Sequence, residues 1–267
     1  MTGSQSPDSG AAVRYEADGP VATLTLDTPH NRNAISRALL TGLHDGLAAA
    51  ARDAAVRAVV LTHTGGTFCA GADLSEAAES GESADPAAQA AARTEAMAGL
   101  LRALVAHPKP IVARVDGHVR AGGMGLVAAC DLAVAGPRSS FALTEARLGL
   151  TAAIVSLTVL PRLTSRAAAR YHLTGERFDA AEAARIGLVD IAADDPAAEV
   201  ARLVAELRRG SPQGLAESKA LVNAEILAGF DARADELAAL SARLFGSEEA
   251  REGMMAFLQK RDPWWAQ

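Results

Sequence analysis

Two small-residue turns are the parts of this chain best suited to chemistry. Residues 68–74 read Phe-Cys-Ala-Gly-Ala-Asp-Leu, and residues 121–131 read Ala-Gly-Gly-Met-Gly-Leu-Val-Ala-Ala-Cys-Asp. Each follows an apolar run and leads toward a helical one. Glycine and alanine let a ligand approach the backbone closely. At a helix start the first N–H groups lack intrahelical acceptors, and the dipole favours negative charge there. Two such turns facing one another would hold a thioester or amide oxygen as it gains charge, which is the work of an oxyanion hole.

The elements that must carry these turns follow from periodicity. Residues 21–26 alternate at period two and read as a strand. Ser36 is placed to cap a helix running to about Arg52, with Leu39, Leu40, Leu43 and Leu47 on one face. Residues 58–62 form a buried strand ending at the first turn. Residues 75–92 read as a surface segment that becomes helical toward Leu104, and Pro108 and Pro110 stop that helix. A third strand at 111–115 leads to the second turn, and short strands follow at 132–135 and 140–143. Repeated strand–turn–helix units imply an α/β architecture with much parallel pairing. From about Pro196 helical periodicity takes over at 197–209, 213–228, 232–245 and 247–260, with Gly210, Pro212, Gly229 and Gly246 as punctuation. The expected organisation is a disordered tail over 1–12, a core over 13–195 and a helical region over 196–267.

Composition narrows the function. At 267 residues, 49% apolar and 22% charged, the chain can bury a large core. A net charge of −6 without a basic stripe argues against nucleic acid as the main partner. The run at 111–135 is interrupted by Arg114, Asp116, His118, Arg120 and Asp131, too many ionisable groups for a membrane span. Cys69 and Cys130 make neither a metal nor a disulfide pattern, so a reduced, cytoplasmic setting is expected. Residues 1–12 lack the pattern of a signal peptide. No metal site is expected, since the six histidines show no paired ligand spacing.

Taken together, the motifs resemble the enoyl-CoA hydratase/isomerase (crotonase) family from about Val13 to Trp265. They are PHNRNAIS at 29–36, FCAGADL at 68–74, PKPIVARVDGHVRAGGMGLVAACD at 108–131 and FALTEARLGL at 141–150. LTGERFDAAEAARIGLVD at 173–190 and EGMMAFLQKRDPWW at 252–265 complete the set. The resemblance implies an α/β fold of the ClpP/crotonase kind, a spiral of ββα units with a C-terminal helical trimerisation region. It implies acyl-CoA thioester substrates and an enolate held at the thioester oxygen by the backbone N–H groups of Ala72 and Gly122. Coenzyme A would enter as part of the substrate, with no permanently bound cofactor. The expected assembly is a homotrimer or hexamer.

The chain departs from the family at one catalytic position. Hydratases of the family use two glutamates. The second corresponds to Glu145, but the first falls at Gly125. Water addition across a conjugated double bond divides its proton transfers between two carboxylates, whereas double-bond migration needs one base that removes and returns a proton. The expected activity is hydratase-like, with Glu145 as acid/base. The alternatives are an isomerase using Glu145 alone and a non-catalytic acyl-CoA-binding subunit. Glu76, Glu79, His118 and Arg120 are open candidates to replace the missing carboxylate. Glu145 could instead be a surface carboxylate paired with Arg147. For coenzyme A, the implied binding residues are Arg32, Ala70, Asp73, Phe257 and Lys260, with Arg261 also a candidate. Asp73 is expected to order the first turn, and Asp131 to brace the helix after the second.

Overall fold

The computed structural model describes residues 10–73, 76 and 86–266. The chain alternates between two sheets. The larger sheet has the order β1-β2-β3-β5-β7-β10, where β1 is Val13–Asp18, β2 Val21–Leu26, β3 Ala58–His63, β5 Ile111–Val115, β7 Leu132–Ala135 and β10 Ile191–Ala192. A hairpin turning at Gly19 pairs β1 with β2 antiparallel, and every other pair in this sheet is parallel. The smaller sheet has the order β4-β6-β8-β9, made of Thr67–Cys69, His118–Arg120, Ser140–Ala142 and Phe178–Asp179. The links from β3 to β4, β5 to β6 and β7 to β8 are only a few residues long. Each unit thus lays one strand in the large sheet, one in the small sheet, and then leaves through a turn. After the first two units that turn leads to a helix, which gives the repeating ββα spiral.

The helices are α1 (Arg37–Arg52), α2 (Pro86–Ala106), α3 (Gly122–Ala129), α4 (Ser156–Val159), α5 (Ser165–Thr174), α6 (Ala180–Ile186), α7 (Pro196–Leu207), α8 (Pro212–Phe245) and α9 (Glu248–Gln259). The Ser36 hydroxyl accepts from Leu39 N–H, as a helix cap should, and such caps contribute about 1 kcal/mol. Strand β3 is apolar on both faces because both are covered. Val59 and Leu61 enter the main core beside Leu24, Leu43 and Ile111. Ala58 and Val60 face the opposite way, against Val200 and Val204 of α7.

Two expectations about the elements need correction. The helices expected at 213–228 and 232–245 are one helix, α8, of 34 residues. Gly229 does not break it. A glycine in a helix interior costs only about 1 kcal/mol, and the neighbouring turns are held by tertiary contacts, including the buried Ile226, Phe230 and Leu237. The short strands β4, β6, β9 and β10 escaped periodicity because two or three residues complete no pattern.

Asp131 follows α3, and its carboxylate ties other elements together. Its carboxylate accepts from Ile111 N–H at 2.7 Å and from Asn223 Nδ2 at 2.8 Å, and pairs with Lys219 Nζ at 2.7 Å. Lys219 also donates to the carbonyls of Leu104 and Lys109. This buried network pins α8 to the end of α2 and the start of β5. Removing one member of such a pair strands the other, at about 3–5 kcal/mol.

Candidate active site

The two glycine turns meet. Gly71, at φ +93°, sits where a side chain cannot fit: a Cβ there would lie 2.9 Å from Ala121 Cβ and 3.7 Å from Gly122 N. The first turn is held by Ile35, whose N–H donates to Gly71 O at 2.8 Å and whose carbonyl accepts from Asp73 N–H at 3.2 Å. These two bonds form a parallel bridge opposite Ala72. In that pattern Ile35 uses both its polar groups, and the Ala72 N–H points to the other side. Gly122 is the first residue of α3, so its N–H has no intrahelical acceptor. Among the described residues neither N–H has a hydrogen-bond partner.

Backbone strain sets the second donor. Ala121 caps α3 at φ +46°, ψ −119°, a conformation that alanine adopts at a cost of about 1–3 kcal/mol. Its N–H is tied to Ala142 O, and its carbonyl accepts from Met124 N–H. Gly122 leaves room above the helix start: a Cβ there would stand 2.7 Å from Ile35 Cδ1 and 3.6 Å from Met97 Cε. Ile35 and Met97 therefore wall the space beside the donor. Neither carries a distinctive sequence signal, since each reads as an ordinary apolar residue on its element.

The loop over 29–36 supports the first turn from below. Arg32 and Asn33 are consecutive left-handed residues, at φ 59° and 53°. Asn33 is fully buried. Its Oδ1 accepts from Thr28 N–H, and its Nδ2 donates to the carbonyls of Thr64 and Thr67. Asparagine tolerates this conformation, which makes its residue type a local clue to a structural role. Arg32 O accepts from Ala70 N–H at 3.2 Å, and Asp73 Oδ2 accepts from Asn31 Nδ2 at 3.0 Å. Arg32, Ala70, Ala72 and Asp73 are thus brought together.

Glu145 opens a short 3-10 turn, Glu145–Leu148, that closes at Gly149 with φ +69°. Helix α9 presses on this turn backbone to backbone. A Cβ on Gly253 would sit 2.5 Å from Leu148 C, and one on Gly149 would sit 2.6 Å from Glu249 C. The Glu145 Oε2 is buried, with no partner among the described residues. Burial pushes the carboxyl up to about 7, opposed by the nearby backbone of Glu145 and Thr144. Arg147 does not neutralise it; its Nε donates to Thr174 O. Phe257 and Lys260 lie on α9 and its C-terminal cap, with Phe257 62% exposed. No hydrogen bond or ion pair among the described residues ties them to the Arg32 loop. Arg261 is bound in a two-pronged pair to Glu252.

Glu79 lies outside the described residues, and each of the other candidates for a second carboxylate's work holds hydrogen bonds in the fold. Glu76 accepts from Arg37 N–H at the start of α1. His118 bonds to Ser140 Oγ, and Arg120 donates to the carbonyls of Val119 and Ser140. Both flank Val119 on β6; Val119 points into the core, so they point out of it. No group of three or more His, Cys, Asp or Glu side chains suited to a metal occurs among the described residues.

The raised Glu145 pKa carries a stability signature. Below pH 4.5, the ordinary value, the group is protonated folded and unfolded, and contributes nothing. As pH rises toward 7 the unfolded chain releases the proton first, so folding stability falls. Above 7 the folded group ionises too and the loss levels off. Glu145→Gln removes this penalty. Its stability relative to the wild type should therefore be near zero at acid pH and largest above pH 7, on the order of 3 kcal/mol. Urea unfolding of both proteins across this range measures it; a pH-independent difference would contradict the burial of Glu145.

Comparison with known proteins identifies the family. Residues 16–267 match the family description enoyl-CoA hydratase/isomerase. The crystal structure of an enoyl-CoA hydratase from Mycobacterium avium superposes with a TM-score of 0.89 at 58% identity, covering 96% of this chain and 99% of that one. The 2,3-dehydroadipyl-CoA hydratase of Escherichia coli is 34% identical over 91% of this chain and 94% of its own. The cyclohexa-1,5-dienecarbonyl-CoA hydratase of Thauera aromatica is 31% identical over 95% of each. This chain belongs to the enoyl-CoA hydratase/isomerase family.

Proposed function

We propose that the chain is an acyl-CoA enzyme of the hydratase-like kind, adding water to a 2-enoyl-CoA through a thioester enolate. The observation that carries this is the meeting of the two turns at Gly71 and Gly122, with the Ala72 and Gly122 N–H groups lacking a partner among the described residues. In this reading they receive the thioester oxygen as it gains charge. Water attacks the β-carbon and loses a proton to the Glu145 carboxylate, and the π electrons move onto the thioester oxygen. Glu145 then returns the proton to the α-carbon, and the net change is addition of one water. A carboxyl near pH 7 is suited to both acts, because each form is populated at neutral pH.

One observation favours a second reading. The place of the first family glutamate is Gly125, and it is packed against Val155 and Leu101. A lone carboxylate in an apolar wall suits migration of a double bond from β,γ to α,β, with Glu145 moving the proton. Turnover of a panel of 2-enoyl and 3-enoyl esters of coenzyme A decides between them. Formation of the 3-hydroxyacyl product supports hydration, and conjugation of the 3-enoyl ester without hydration supports isomerisation. Saturable binding without turnover of any ester would sink both.

Arg32, which forms no ion pair among the described residues, would border the phosphates of coenzyme A. Phe257 and Lys260 would join it from the C-terminal helix of a neighbouring copy. The exposed Leu221 and Val222 of α8, and Phe257, Leu258 and Trp264 beyond it, fit burial between copies in a homotrimer or hexamer. Two free, buried cysteines fit a cytoplasmic protein. No described helix is long and apolar enough to cross a membrane.

A further inference from the structure

Gly125 is more than an absent glutamate, because its place is filled. A Cβ at this position would stand 2.3 Å from Val155 Cγ1, 3.3 Å from Val155 Cβ and 3.3 Å from Leu101 Cδ1. Val155 is buried at the N-cap of α4. The fully buried Thr158 Oγ1, one turn on, lies 3.2 Å from both Gly125 O and Val155 O and shares its one hydrogen between them. The Gly125 peptide is thus gripped twice by α4, on its Cα by Val155 and on its carbonyl by Thr158. Valine is stiff at χ1, and its Cβ is itself within 3.3 Å of the missing Cβ. Rotation of the side chain alone therefore leaves a tight contact.

We infer that Val155 is a specificity-determining residue: it occupies the volume a carboxylate at position 125 would need, and restricts this site to reactions a single carboxylate can complete. The geometry at this end of α3 is continuous with the donor end. Gly122 faces Met97 and Gly125 faces Leu101, and Met97 and Leu101 are four residues apart on one face of α2. The wall running from the donor past position 125 is therefore apolar, and Val155 seals it. Positions 125 and 155 act as one unit, so changing the glycine alone does not convert the site to two carboxylates.

The inference rests on the enoyl-CoA reading for its catalytic consequence, and the test separates the two. Thermal melts of Gly125→Ala, Val155→Gly and their double variant need no substrate. Gly125→Ala should lower the melting temperature, and lower it much less when Val155 is already glycine. Additive shifts would overturn the inference. Hydration of crotonyl-CoA supplies the second readout. Gly125→Glu alone should fold poorly or gain nothing. Combined with Val155→Gly it should exceed either single variant by roughly tenfold or more, since a second acid/base group commonly supplies at least that. An equal gain from Gly125→Glu alone, in a folded protein, would overturn the role of Val155. Coupled melts with no turnover in any protein, wild type included, would overturn the enoyl-CoA reading and leave the packing result intact.

Discussion

Glu145→Gln is expected to lower kcat on an enoyl-CoA ester by about 10²–10⁴-fold while leaving KM nearly unchanged. Glutamine keeps the size and shape of the side chain but cannot accept and return a proton. The carboxylate it replaces is one whose Oε2 is buried without a partner among the described residues, and burial has moved its titration to about 7. The family's other carboxylate is absent at position 125, and Glu76 is engaged at the start of α1. The loss should therefore appear in the chemical step rather than in binding. The wild-type rate should also follow a pH profile with an inflection near 7, which the variant lacks. Steady-state kinetics across pH measure both effects. Wild-type turnover in Glu145→Gln would show that the proton passes through some other group.

Gly122→Pro should be nearly as damaging, for a different reason. It deletes one donor N–H, and losing a single oxyanion donor costs about 10²–10³ in rate. Proline is well accepted at the first position of a helix. The preceding Ala121, at φ +46° and ψ −119°, lies outside the conformations favoured before proline, so a melt must accompany the kinetics. Gly122→Ala is the control. It keeps the N–H and adds a Cβ 2.7 Å from the mobile end of Ile35, so it should retain much more activity than the proline variant. Equal activity in folded Gly122→Pro and Gly122→Ala would remove Gly122 N–H from the mechanism.

Much of the fold could be read from the chain because it is built from local patterns. The capped helix after Ser36, the apolar strands ending near residues 63 and 115 and the prolines after α2 follow from spacing and stereochemistry within a few residues. The glycine turns were legible for the same reason. A residue such as Gly71, at φ +93°, announces its backbone by its type. The absence of a glutamate at position 125 needed only the family pattern.

What the sequence could not decide is what occupies space across the fold. The small sheet was missed in part because strands of two or three residues are made by pairing with distant partners rather than by their own propensity. Gly229 reads as a break in the sequence, yet α8 runs through it because the Lys219–Asp131 network holds its first half and the buried Phe230 and Leu237 hold its second. Asp73 is expected to order the first turn through backbone hydrogen bonds, and its Oδ2 accepts from the side chain of Asn31, 42 residues away. The deepest gap concerns Val155. Thirty residues separate it from Gly125, and in the chain it is one more valine in an apolar run. Only the packing of α4 against α3 shows that the Val155 side chain stands where a side chain at position 125 would begin. Residue type and short spacing specify backbone turns and donors. The contents of a cavity depend on side chains converging from remote segments, and that convergence exists only in the folded protein.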